Sequence, residues 1–115
     1  MRTSRRGNNH QQNTLYEGRE GYVVYCNCCQ LFHIAYGTIS FDQTETDLLR
    51  FMEVLSHNYN QYHDVVNPDC RCVQITTPFK GFRFLFSTNE LQEFNEMLGE
   101  AYLLYEAERI MNSKN

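Results

Sequence analysis

Residues 22–37 read "YVVYCNCCQLFHIAYG". Aromatic and β-branched side chains fill two short runs, and the polar tetrad "NCCQ" between them is where a chain reverses. A hairpin is therefore expected, with one strand over 22–26 and a second over 31–41 that bends at Gly37. Two cysteines, Cys26 and Cys29, flank the reversal with a third, Cys28, between them, and His33 follows on the second strand.

Outward from this hairpin the period changes. In "DQTETDLLRFMEVLSHNYNQY", Leu48, Phe51, Met52, Leu55, Tyr59 and Tyr62 share one helical face behind a capping pair, Thr44 and Asp47. The helix should stop before "NPD". Val73 and Ile75 then alternate with polar neighbours, "TPFKG" turns the chain, and Phe82, Phe84 and Phe86 alternate in their turn, which predicts a second hairpin. Ser87 and Glu90 repeat the capping pattern ahead of a last helix, whose apolar side carries Leu91, Phe94, Leu98, Ala101 and Tyr105 and runs to about Met111.

The expected class is α+β, in the order ββαββα. "DLLRFMEVL" at 47–55 and "ELQEFNEML" at 90–98 share acid, Leu, Phe, Glu and Leu at a constant offset of 43. Two pseudo-repeats, each a hairpin and a helix, would pair into one four-stranded antiparallel sheet with both helices on one face. Shared leucine spacing also arises between any two amphipathic helices.

A chain of 115 residues with 42% hydrophobic and 21% charged side chains has the length and composition of one globular domain. Residues 1–16 hold only Met1, Leu15 and Tyr16 as sizeable apolar groups, so they read as a disordered basic and polar arm before a single α+β domain over 17–115. Arg2, Arg5, Arg6 and Arg19 lie at this end, which leaves the remainder acidic within a net charge of −4. An acidic body repels phosphate backbones, so no nucleic-acid partner is expected. No membrane span and no apolar signal segment stand out, and five cysteines, an odd number, fit a reducing compartment; the reading is cytoplasmic.

The thiols carry the chemistry. Cysteines two residues apart on a tight turn can aim both sulfurs at one ion, which makes Cys26 and Cys29 candidate zinc ligands. Cys70 and Cys72, alternate residues of a strand-like "CRC", are candidates for the other two positions, and His33 is a substitute ligand. Other readings stand beside this one. Cys26 and Cys29 would form a redox pair if something stabilised a thiolate, but a hairpin without a neighbouring cation offers little. Cys70 and Cys72 can be packing thiols, and His33 a hydrogen-bonded strand histidine.

For catalysis the sequence offers no phosphate-cradling glycine loop, no Gly-x-Ser-x-Gly elbow and no His-Glu-x-x-His helix, so a non-enzymatic role is expected. On the last helix Tyr102, Leu103 and Ile110 fall off the core face and suggest a surface for a protein partner or a second copy of the chain.

The hairpin "GYVVYCNCCQLFHIAYGTISF", the acid-leucine helix after it and "FLFSTNELQEFNEMLGEA" together resemble a family of small bacterial proteins, a domain of unknown function found mainly in Bacteroidota. The likeness covers about residues 20–105. Its markers are Cys26-x-x-Cys29, the "AYGTISF" strand and the "STNELQEF" helix start, and it implies the fold more than any activity. Cys26 and Cys29 carry over as a metal or redox pair; Cys28, Cys70 and Cys72 match no motif of the family.

Overall fold

A computed structural model describes residues 12–113. Four strands come first, β1 (Gln12–Glu17), β2 (Gly21–Cys26), β3 (Leu31–Tyr36) and β4 (Ile39–Gln43), followed by helix α1 (Glu45–Tyr62). Strands β5 (Val73–Thr76) and β6 (Arg83–Phe86) and helix α2 (Thr88–Ser113) complete the order. The chain is α+β, but the strands do not pair as expected. β1 to β4 form an antiparallel meander in chain order, and β5 and β6 form a separate two-stranded sheet.

Two local causes account for the difference. The expected strand over 31–41 is broken by a two-residue loop, Gly37-Thr38, across which Tyr36 faces Ile39. Gly37 takes a φ of 59° while Thr38 stays negative, the pattern of a II′ turn, whose twist suits a tight hairpin better than a bend. At the other end, residues 12–16 of the expected arm belong to β1, where a bulge between Thr14 and Tyr16 turns Leu15 into the core. Residues 1–11 of that arm lie outside the described residues.

Two compact units divide the described chain, and each helix is shared between them. The first comprises 12–49 and 97–113. Val23, Phe32, Ile34 and Tyr36 are buried on one face of its sheet, with Met97, Leu98 and Ala101 of α2 buried in the same unit. The Tyr105 ring of α2 lies 4.9 Å from both Tyr25 and Phe32. Burial pushes the Tyr105 hydroxyl up to about 12, with the Tyr25 hydroxyl adding to it. Tyr102 donates to Glu45 at 2.6 Å and lies 2.5 Å from Glu106, and Arg109 grips Glu106 at 2.7 Å, so the start of α1 is tied to the end of α2. Thr44 caps α1 through the Asp47 amide at 3.2 Å.

The second unit comprises 50–96. Val73 and Ile75 of β5 are buried opposite Phe86 and Phe84 of β6, and Phe51, Phe84, Phe86 and Phe94 form a ring cluster with centroids 5.5–6.2 Å apart. The capping box ahead of α2 is complete: Glu90 N–H donates to Ser87 Oγ, and Ser87 N–H donates to Glu90 Oε1, each at 3.0 Å. Glu90 also accepts the Arg71 guanidinium at 2.7 Å. The Arg71 guanidinium, then the Ser87 amide, hold the Glu90 carboxyl below the usual carboxylate range against the opposing push of burial. The two helix starts keep the 43-residue offset read from the sequence, while the sheets do not repeat.

Glycine substitutions separate close approach from helix propensity. A Cβ at Gly21 would sit 1.9 Å from the Ala35 carbonyl oxygen, whereas one at Gly99, inside α2, meets nothing within 4 Å. Gly21→Ala should cost more than about 2 kcal/mol in urea denaturation, and Gly99→Ala should add about 0.5–1 kcal/mol. The Arg71–Glu90 pair has a pH signature. A depressed carboxyl contributes stability above its unfolded value, near 4.5, and loses it as pH falls through the lower folded value. Arg71→Ala should therefore destabilise by about 0.5–1 kcal/mol at pH 7, screened because Arg71 is largely exposed, and leave stability near pH 2 unchanged.

Candidate metal centre

Cys26 ends β2 and Leu31 opens β3 directly opposite it, so Asn27, Cys28, Cys29 and Gln30 make the whole loop. Its backbone is tightly curled. Gln30 N–H reaches back to the Cys26 carbonyl at 2.8 Å, and Gln30 adopts a left-handed φ of 59°, a conformation uncommon for a residue with a Cβ. The curl aims Cys29 N–H at Cys26 Sγ, 3.3 Å away. An amide pointing at sulfur favours the anionic form that binds metals. It also swings the Cys29 sulfur to 2.9 Å from that of Cys26.

The β-ladder supplies the third donor. His33 pairs with Val24 on β2 and sits two residues beyond Leu31, the partner of Cys26, so it shares with Cys26 the sheet face opposite Phe32 and Ile34. One donor atom from each of Cys26, Cys29 and His33 lies within 4.8 Å of the others. Tetrahedral zinc, with Zn–S bonds near ~2.3 Å, sets its sulfurs about 3.8 Å apart. Less than about 1 Å of opening between the thiols would admit the ion.

Cys26 is 1% exposed and Cys29 is open to solvent; no disulfide joins any of the five cysteines. The adjacent Cys26 sulfur, then burial, pushes the Cys29 thiol up from its ordinary value. His33 Nδ1 lies 2.7 Å from Asp42 Oδ1, and Asp42 is the residue opposite His33 in the β3–β4 ladder.

Cys70 and Cys72 precede β5 in the 50–96 unit and are not members of the Cys26–Cys29–His33 group. Both are exposed, so neither is a core thiol; the Cys72 thiol donates to the Cys70 carbonyl at 3.4 Å. Their reading as an alternating strand pair fails because the strand begins only at Val73. Asp42 went unread in the sequence, although counting outward from the Gly37-Thr38 turn sets it against His33.

Comparison with known proteins adds the lineage. Residues 8–114 match the model of a family of unknown function, DUF6686. The chain belongs to this family. No curated protein and no solved structure matches the chain.

The last-helix surface also differs from expectation. Tyr102 is half-buried and its hydroxyl is committed to Glu45 and Glu106, contacts that together with burial push its ionisation up, so it is no part of an exposed stripe. Leu103 and Ile110 are exposed, at 72% and 55%, and Met111 joins them at 69%. Among the described residues no helix is long and apolar enough to cross a membrane.

Proposed function

We propose that this protein is a small, non-enzymatic domain of the bacterial cytoplasm whose first Cys-rich hairpin binds zinc as a structural element. The observation that carries the reading is the convergence of Cys26, Cys29 and His33 within 4.8 Å on a turn whose amide already points at Cys26 Sγ. Two thiolates and an imidazole are a zinc donor set, softer than the carboxylate and carbonyl sets that hold magnesium or calcium. The alternative, a thiol-redox pair, draws on the 2.9 Å approach of the two sulfurs, but the Cys26 sulfur, then burial, push the Cys29 thiol up and outweigh the backbone hydrogen bond that favours its anion.

Elemental mass spectrometry on protein purified without added metal tests this. Wild type should carry about one zinc per chain, and Cys29→Ser should lose it together with part of the thermal stability. Absence of metal in wild type, with Cys26 and Cys29 closing to a disulfide under mild oxidation, would replace the zinc reading with the redox one.

The exposed end of α2 supports a second element of the reading, self-association. Leu103, Ala107 and Ile110 recur every three or four residues along a 26-residue helix, with Leu104 and Met111 beside them, a seam that a second copy of the chain can cover with its own. Light scattering over a concentration series should show a dimer that the double substitution Leu103→Glu, Ile110→Glu converts to monomer. Monomer in wild type at every concentration would remove the proposal.

A further inference from the structure

The zinc reading leaves one polar residue beside the site without a role, and the geometry gives it one. We propose that Asp42 is a positioning residue that fixes His33 as an Nε2 ligand; this rests on the metal reading above.

Three observations carry it. The contact is short and directional, His33 Nδ1 to Asp42 Oδ1 at 2.7 Å. It is also dictated by the sheet: His33 and Asp42 are directly opposed in the β3–β4 ladder, three pairs from the Tyr36–Ile39 pair that flanks the two-residue turn, so the partner cannot drift without slipping the register. Finally, His33 is the donor most in need of orientation. Cys26 and Cys29 are set by the curl of their own loop, whereas an imidazole standing on a flat strand is free to rotate and to place its proton on either nitrogen.

The chemistry follows from the acceptor. A carboxylate accepts from Nδ1–H and so selects the neutral tautomer that carries its proton there. Nε2 is left with a lone pair to offer a cation. The His33–Asp42 pair borders a cavity of about 340 Å³ on this sheet face, lined also by Gln12, Tyr22, Val24, Ile34 and Ser40.

The test uses the full chain in three forms: wild type, Asp42→Ala, and Asp42→Asn, which keeps an acceptor oxygen without the charge. In metal-free wild type above the imidazole range, nitrogen NMR should find the His33 proton on Nδ1, and Asp42→Ala should lose that preference. Zinc competition against a chromophoric chelator should show about a 10–100-fold loss of affinity in Asp42→Ala and a smaller loss in Asp42→Asn. Cobalt(II) substitution reports the donor set directly: thiolate charge-transfer bands should persist in Asp42→Ala while the ligand-field bands shift. Equal zinc affinity and an unchanged cobalt spectrum in Asp42→Ala would overturn the positioning role alone, as would a proton on Nε2 in wild type. Wild type that takes up neither ion would overturn the metal reading and this role with it.

Discussion

Antiparallel pairing of β3 between β2 and β4 is the constraint on which the candidate site depends, because a strand with partners on both sides cannot shift by one residue without turning every side chain to the other face. Three local features pin that register. The Asn27–Gln30 loop closes one end of β3, the Gly37-Thr38 turn closes the other, and Gly21 lets the β2 backbone pass where a Cβ would strike the Ala35 carbonyl. With the register fixed, Phe32 and Ile34 are buried on one side of β3 and His33 is delivered to the other.

The two faces of this one strand thus divide stability from chemistry. The buried face meets Tyr105 of α2 through rings about 5 Å apart, and aromatic burial of this kind supplies much of what holds a small sheet together. The opposite face carries Cys26, His33 and Asp42, whose side chains are polar or polarisable and gain little from packing. Cys26 is the exception in being almost fully buried, and its sulfur receives an amide hydrogen bond.

Most of the local structure was legible from sequence because it depends on neighbours along the chain. Helix starts at Thr44 and Ser87 followed from hydroxyl-to-acid spacing, and the amide contacts at both caps are present. The curl that brings Cys26 and Cys29 together follows from their separation by two residues, and His33 belongs to the same hairpin. Residues 12–16 read as part of an arm because their apolar content is low; they form a strand by pairing with the edge of β2, which the segment itself does not encode. The alternation of Cys70 and Cys72 suggests a strand, but the strand begins only at Val73.

By itself, then, the sequence determined the elements within reach of local rules: two amphipathic helices with their caps, the Cys-rich turn, and the soft donors it presents. Only the tertiary structure decided which strands share a sheet, that Asp42 stands behind His33, and that Tyr102 is tied to Glu45 rather than left for a partner. The physical reason is that these outcomes turn on pairings between residues distant in sequence, whose relative free energies depend on register, edge availability and burial, and no window of neighbouring residues contains those terms.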